Sequence, residues 1–179
     1  DAKTIEIRVD ANGAFDVNNA LDKLMQLNEF ELHSIEQPIK TNQILEMKLL
    51  CQNSPFPIAL DEELIGVFGI ENKKELLAKI QPQYIILKPS LIGGFEISNK
   101  WIENAGHLNI DWWLTSALES NIGLNAIAQF AFSKHNLLPQ GLGTGQLYDN
   151  NIPSPLTIIG EEIWYLPQKN WELSILDEN

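Results

Sequence analysis

Hydrophobic and polar positions follow two alternating patterns along the first 150 residues of the chain. Short, almost wholly apolar runs are separated by longer stretches in which apolar residues recur every three or four positions. The first pattern is typical of strands buried on both faces, and the second of amphipathic helices. The apolar runs predict six strands, at residues 5–10, 32–36, 58–61, 84–88, 109–115 and 137–142. The longer stretches predict helices at residues 17–27, 42–51, 73–80, 93–105 and 122–133.

Regular alternation of strands and helices favours βαβ units and a parallel sheet. The first strand is not followed by Gly-x-Gly-x-x-Gly, which disfavours a dinucleotide-binding sheet. The better match is a partial TIM (β/α)₈-type barrel of about six βα units over residues 1–150, since a whole barrel has about 250 residues. The chain opens inside a strand, so we expect the first barrel strands upstream of Asp1. A doubly wound sheet in a binding module is the alternative fold.

The pattern changes after residue 150. Pro153 and Pro155 interrupt it, and β segments then follow at residues 156–159, 163–166 and 171–176, with turn residues between them. We therefore predict a second region, residues 151–179, formed by an antiparallel β extension.

Composition narrows the classes of function. The 179 residues carry a net charge of −12 without a basic stripe, so nucleic acids and anionic membranes are poor partners. No apolar run approaches the roughly 20 residues that span a bilayer. Cys51 is the single cysteine, which excludes an intrachain disulfide and a cysteine-based zinc site. We expect a cytoplasmic protein, because a reducing compartment suits a single buried thiol.

Charged residues end four successive predicted strands. Asp10, Glu36, Asp61 and Lys88 are separated by 26, 25 and 27 residues. In a parallel barrel such residues meet at the rim where barrel enzymes place their active sites. Three carboxylates at one rim repel one another unless a cation neutralises them, and oxygen ligands alone select Mg²⁺, with Mn²⁺ as the alternative. A single acid at a strand end would more readily be a cap or a surface group. Three acids and one lysine at equivalent positions of four successive strands instead predict a metal site, with Lys88 as its chemical partner.

A carboxylate-held Mg²⁺ beside a lysine suits removal of a proton next to a carboxylate group. The resulting enediolate carries a second negative charge, which the metal stabilises as a Lewis acid. A lysine serves there as a base or as an electrostatic partner.

Several motifs resemble the barrel of the enolase superfamily, muconate-lactonizing subgroup. They are Asp-Ala-Asn-Gly at 10–13, Ile-Glu-Gln-Pro at 35–38, Leu-Asp-Glu at 60–62, Leu-Lys-Pro at 87–89 and Gly-Gly at 93–94. Residues 116–124 and 141–145 look most like the later strand ends of the o-succinylbenzoate synthase branch. The resemblance covers residues 5–150, and it implies that the tail returns to the capping domain of the family.

The resemblance implies a role for each strand-end residue. Asp10, Glu36 and Asp61 would ligate Mg²⁺, and Lys88 would stabilise the enediolate. The general base and acid would be the second lysine of a Lys-x-Lys motif on the preceding strand, and the chain contains no such motif. We therefore expect a missing N-terminal capping domain and first barrel strands to supply the base, and this chain alone to be inactive. The implied reaction is a Mg²⁺-dependent dehydration, a syn-elimination in menaquinone biosynthesis.

Five further residues are predicted to contact the substrate, a small-molecule carboxylate: Ser116, Ser120, Gly143, Thr144 and Asn12. Four of them have a plainer alternative. The two serines would suit N-capping of the following helix, the glycine a simple turn, and Asn12 the orientation of the turn after the first ligand.

Other activities of the same subgroup stay open: N-acylamino-acid racemase, muconate cycloisomerase and dipeptide epimerase. The epimerases usually carry Asp-x-Asp near the last barrel strand, where this chain has Gly143, Thr144 and Gly145. A catalytically inactive, truncated chain is the alternative of a different class. A partial barrel exposes strand edges, so homo-oligomers are also open.

Overall fold

The computed structural model describes residues 5–174 and confirms an α/β chain. Five strands form one sheet in chain order: β1 Arg8–Asp10, β2 Ser34–Glu36, β3 Ile58–Leu60, β4 Tyr84–Leu87 and β5 Asp111–Leu114. The helices are α1 Ala20–Leu27, α2 Ile44–Asn53, α3 Ile70–Ile80, α4 Pro89–Ile92, α5 Gly94–His107 and α6 Asn121–Ser133. The first five predicted strands and all five predicted helices are therefore present, and the observed strands are shorter.

The register of the parallel strands fixes which strand-end residues share a face. Asp10 of β1 is paired with Glu36 of β2, and Glu36 is paired with Ala59 of β3. Strand β3 pairs with β4 in the same parallel sense. Side chains alternate between the two faces of a strand, so Asp61, two residues beyond Ala59, lies on the same face as Asp10 and Glu36. All three stand at the carboxyl ends of their strands.

Buried apolar side chains from strands and helices hold this sheet in place. Six residues of β3 and β4 have no more than 1% of their surface exposed to solvent: Ile58, Ala59, Leu60, Ile85, Ile86 and Leu87. Met47 of α2 and Leu77 of α3 are fully buried as well. Each large side chain of this kind contributes roughly 1.5–3 kcal/mol when it leaves water. The apolar runs in the sequence are thus the core of the sheet.

The predicted sixth strand, residues 137–142, is wrong. This segment is a loop, and within it the backbone pairing is limited to one parallel bridge between Thr115 and Gly141. Pro139 has no N–H to give to a ladder, and the side-chain Oε1 of Gln140 accepts the N–H of Leu114 at 2.7 Å. A side chain therefore takes the place of a strand partner for this N–H group, and the described residues contain five strands of the main sheet rather than six.

The described part of the C-terminal tail contains one antiparallel hairpin. Its strands are β6 Leu156–Ile159 and β7 Glu162–Tyr165. The predicted third segment forms no strand at residues 171–174, and the rest of it lies outside the described residues. The antiparallel extension is confirmed as a two-stranded hairpin.

The chain divides into two compact units. The first comprises Asp1–Leu87 and Ile92–Trp112, and the second comprises Lys88–Leu91 and Trp113–Asn179. Within residues 5–174, none of the helices combines the length and the apolar character that membrane crossing requires.

A tight turn after β1 gives the first testable prediction. Gly13 has a φ of +68°, and a Cβ there would stand 3.1 Å from the Cα of Lys40. Gly66 has a similar φ of +79° with no heavy atom within 4 Å of such a Cβ. Left-handed backbone costs about 1–2 kcal/mol for a residue with a side chain, and overpacking costs about 1–3 kcal/mol more. Gly13→Ala should therefore lower the free energy of unfolding by about 1 kcal/mol or more beyond Gly66→Ala, measured by urea denaturation. Equal losses in the two variants would show that the Lys40 backbone moves away freely.

Candidate active site

Asp10 ends the first strand and shapes the turn that follows it. Its side chain is exposed, and its Oδ1 accepts the backbone N–H of Asn12 at 2.8 Å. Asn12 has a φ of +46°, a left-handed conformation that asparagine tolerates better than most residues. The predicted role of Asn12 in orienting the turn agrees with this geometry. The other carboxylate oxygen of Asp10, Oδ2, takes no part in the hydrogen bond to Asn12.

Glu36 and Asp61 occupy the equivalent places on the next two strands. Glu36 is the last residue of β2 and is half-buried. Asp61 follows β3 directly and has only 2% of its surface exposed. Burying a carboxylate costs free energy unless partners or a metal ion compensate for its charge. A cation shared with the neighbouring strand ends is one such compensation.

The donor set fits a hard divalent cation in chemistry and in strand position. The three acids supply only oxygen donors, which Mg²⁺ prefers, and the register puts them on one face of the sheet. Within residues 5–174, however, no three His, Cys, Asp or Glu side chains are gathered closely enough to hold a metal ion. The ligand roles of Asp10, Glu36 and Asp61 therefore stay predictions.

Lys88 follows β4 directly and is half-buried. It is the first residue of the second unit. Its catalytic role stays a prediction.

Two of the predicted substrate residues contact one another within the second unit. Ser116 is buried, with 5% of its surface exposed, and follows β5 by two residues. Its Oγ accepts the hydroxyl of Thr144 at 2.7 Å and the N–H of Leu118 at 2.8 Å. Leu118 adopts a φ of +65°, which is strained for leucine. These bonds join the loop after β5 to the short 3₁₀ helix Gly143–Gln146.

Glu119 supports this loop, and the sequence did not single it out as important. Its carboxylate accepts the N–H of Ala117 at 2.8 Å and the hydroxyl groups of Ser90 and Ser116. Burial by itself raises the pKa of Glu119, but these hydrogen bonds together outweigh burial and hold the pKa below its ordinary value of 4.5. Glu119 is therefore ionised at neutral pH, and it fixes the serine hydroxyls around it. The sequence feature that could have identified Glu119 is that it is an acid among the polar residues of 116–120.

The other two predicted contacts have simpler settings. Ser120 occupies the N-cap position of α6, but its side chain makes no capping hydrogen bond. Gly143 is exposed and lines a groove of about 1190 Å³ between α6 and the β6–β7 hairpin. The neighbouring Gly145 is required by packing, because a Cβ there would stand 2.6 Å from Oδ1 of Asn121.

The sequence matches a protein family and individual known proteins. Residues 1–166 match the family described as enolase C-terminal domain-like. The chain is similar to the o-succinylbenzoate synthase of Desulfotalea psychrophila (strain LSv54 / DSM 12343), with 59% identity over 156 residues. That match takes in 87% of this chain and 42% of the relative. An N-succinylamino acid racemase of Amycolatopsis sp is 26% identical over 155 residues, which are 86% of this chain and 41% of that protein.

A solved structure supports the same relationship. The crystal structure of MenC from Desulfotalea psychrophila LSv54 has a TM-score of 0.88 and 56% sequence identity to this chain. The superposition covers 90% of this chain and 45% of that one. The chain thus spans less than half the length of these relatives. Because the family match extends over most of its residues, the chain belongs to the enolase C-terminal domain-like family.

Proposed function

We propose that this chain is the C-terminal barrel portion of an o-succinylbenzoate synthase. That enzyme dehydrates a cyclohexadiene carboxylate to 2-succinylbenzoate, a step in menaquinone biosynthesis. The single observation that carries the proposal is the 59% identity to the Desulfotalea psychrophila synthase, in a chain whose carboxylates end successive parallel strands. The five strands would form part of a TIM barrel closed by residues upstream of Asp1. Residues 1–150 would belong to that barrel, and residues 151–179 to a capping domain.

In this proposal Asp10, Glu36 and Asp61 hold Mg²⁺, with Mn²⁺ as a substitute. The bound cation would supply positive charge to the substrate carboxylate as its α-proton leaves. The three strand ends contribute negative charge and a common face, and their side chains would converge on the ion when it binds.

Lys88 provides the second positive charge. Its ammonium group would stabilise the enediolate from the side of the reacting carbon, without exchanging a proton itself. A base lysine elsewhere in the whole protein would take the α-proton and then return a proton to the departing hydroxyl, which leaves as water. This chain contains no Lys-x-Lys motif, so we assign that base to the portion of the protein that precedes it.

The hydrogen-bonded pair of Ser116 and Thr144 is the best-supported substrate contact. Their hydroxyl groups are 2.7 Å apart and are held by Glu119 and the backbone of Leu118. In the free chain the proton of Thr144 goes to Ser116 and that of Ser116 to Glu119, so a carboxylate or succinyl arm of the substrate would take the place of Ser116 Oγ as acceptor of the Thr144 proton, with Ser120, Gly143 and Asn12 as additional contacts.

The thiol of Cys51 is consistent with the cytoplasmic location that this pathway suggests. Cys51 is buried, and burial raises the pKa of its thiol to about 12. A thiol that stays protonated neither binds metal nor attacks disulfides, so Cys51 serves packing in α2.

A fusion protein tests the proposed activity. The segment of the Desulfotalea psychrophila synthase that precedes its match to this chain would be joined to Asp1. With the cyclohexadiene substrate and Mg²⁺, the fusion should form an aromatic product whose absorbance rises with time. The 179-residue chain alone should form none, because it lacks the base. A folded, Mg²⁺-binding fusion without product formation would refute the dehydratase assignment.

The same fusion separates the second candidate function. The similarity to an N-succinylamino acid racemase favours proton exchange at the α-carbon of an N-succinyl amino acid. Loss of optical rotation from such a substrate, at a rate above that of dehydration, would make racemisation the main activity. We expect the dehydration rate to be the larger of the two.

A further inference from the structure

The residue after Glu36 is buried between the turns that follow β1, β2 and β3. Gln37 has 1% of its surface exposed and a φ of +35°. Its backbone N–H donates to the carbonyl of Ala59 at 2.9 Å, and its carbonyl accepts the N–H of Gly13 at 2.7 Å. The two backbone bonds hold Gln37 in a left-handed conformation that is unfavourable for glutamine by itself.

The side-chain amide of Gln37 makes four hydrogen bonds. Its Oε1 accepts the backbone N–H groups of Asp61 at 3.2 Å and of Glu63 at 3.3 Å. Its Nε2 donates to the carbonyl of Ile39 at 3.0 Å and to Oε2 of Glu63 at 3.1 Å. An amide offers two donors and two acceptor sites, so every site is used. Backbone N–H groups lie on one side of the amide and oxygen acceptors on the other. The amide oxygen must therefore face the backbone of Asp61.

Glu63 completes the contact from the other side. It has 5% of its surface exposed, and its Oε1 accepts the backbone N–H of Asn42 at 2.9 Å. Glu63 is therefore turned inward, and its two oxygens bind the turn after β2 and the amide of Gln37. The two side chains form a Gln37–Glu63 clamp.

We propose that Gln37 is a positioning residue, and that the Gln37–Glu63 clamp holds Asp61 at the place where it ligates the cation. The inference rests on the proposed function, because it takes Glu36 and Asp61 as ligands. Gln37 is covalently next to Glu36 and hydrogen-bonded to the backbone of Asp61, so its amide couples the positions of the two. Outer partners of this kind orient metal ligands, and their loss typically weakens metal binding by about 10–100-fold.

A double-mutant cycle tests the clamp, with Mn²⁺ as the probe and its dissociation constant measured by electron paramagnetic resonance on the 179-residue chain. Gln37→Glu brings two carboxylates together, and Glu63→Gln brings two amide donors together. Each single variant should bind Mn²⁺ at least about tenfold more weakly. The exchanged pair, Gln37→Glu with Glu63→Gln, restores a donor facing an acceptor and keeps both acceptors for the N–H groups of Asp61 and Glu63. It also replaces the bond to Ile39 with a carboxylate oxygen beside that carbonyl, so its affinity should recover only in part, to at least about threefold above that of either single variant.

A control variant separates positioning from general stability. Ile80→Val removes one methyl group from a fully buried residue of α3 and should lower the melting temperature while leaving Mn²⁺ affinity unchanged. Each variant is measured well below its melting temperature, where its circular dichroism spectrum matches wild type.

The outcomes distinguish the clamp from the metal site itself. Wild-type affinity in Gln37→Glu, alongside lost affinity in Asp61→Asn, would overturn the clamp and leave the metal site intact. An exchanged pair as weak as its single variants would also overturn the clamp. Wild-type affinity in Asp61→Asn would instead remove the proposed metal site on which the inference rests.

Discussion

Asp61→Asn is expected to weaken Mg²⁺ binding by at least about 100-fold, above the range typical of an outer partner. The change keeps the size of the side chain and replaces a charged oxygen with a neutral one. Asp61 is the most buried of the three strand-end acids, with 2% of its surface exposed, whereas Glu36 is half-buried and Asp10 is exposed. A charge in such a position acts through less intervening water, so its loss should matter more than the loss of an exposed charge.

Isothermal titration of the 179-residue chain with MgCl₂ measures this effect, and Asp111→Asn is the matched control. Asp111 is exposed and begins β5, at the end of the sheet opposite to the strand ends that carry the predicted ligands. Its replacement removes the same charge from the same unit and should change the Mg²⁺ affinity less than about twofold, since exposed charges are screened by salt. Similar affinities for Asp61→Asn and Asp111→Asn would contradict the metal assignment.

Lys88→Met should lower kcat of the fusion protein by at least about 1000-fold, within the range that positioned proton-transfer and charge-stabilising groups supply. Methionine keeps the unbranched side chain and removes the ammonium group. Since Lys88 is proposed to stabilise the enediolate and not to hold the cation, the affinity for Mg²⁺ should stay the same or rise. The loss should appear in kcat more than in KM, because the negative charge develops only during the reaction.

Steady-state kinetics of the fusion protein, followed by the absorbance of the aromatic product, provide the measurement. Lys100→Met is the control, because Lys100 lies on α5 and pairs with Glu103 at 3.3 Å on the protein surface. That variant should keep kcat within about twofold, as exposed ion pairs contribute little. A Lys88→Met fusion with more than a tenth of the wild-type kcat would show that another group stabilises the enediolate.

The sequence predicted the order of strands and helices well, but it overestimated the length of the strands. The first strand was predicted at residues 5–10, and the observed β1 is Arg8–Asp10. Ile5 and Ile7 are 63% and 41% exposed, although their pattern is that of buried residues. Among residues 5–174, β1 is an edge strand whose single strand partner is the three-residue β2. Apolar periodicity reports which residues suit burial, whereas the length of a strand depends on its partner.

The wrong sixth strand shows a different limit of the sequence. Residues 137–142 are apolar enough for a strand, but Gln140 satisfies the Leu114 N–H with its side chain, and Leu137 is 98% exposed. Competition between a side chain and a backbone partner leaves no trace in hydrophobic periodicity. It becomes visible only when the two segments are brought together in space.

The sequence predicted the part of the candidate site that depends on equivalent positions in successive strands. Asp10 and Glu36 are paired as their equal positions in successive units suggested, and their role as ligands stays a prediction. Gln37 and Glu63 were missed, because hydrogen bonds between residues 26 apart follow no local pattern. The one sequence feature that pointed to Gln37 and Glu63 was their position close to Glu36 and Asp61, because groups that orient metal ligands are expected near a site.

The turn after β1 has a consequence for the chemical ageing of the protein. Asn12 precedes Gly13, and an asparagine before glycine deamidates when the glycine nitrogen attacks the asparagine side chain. In the folded chain that N–H donates to the carbonyl of Gln37 at 2.7 Å, and Gly13 is buried. The attack therefore requires the turn to open. Damage at this dipeptide should accumulate with the time that the chain spends unfolded, and each event adds a negative charge two residues from Asp10.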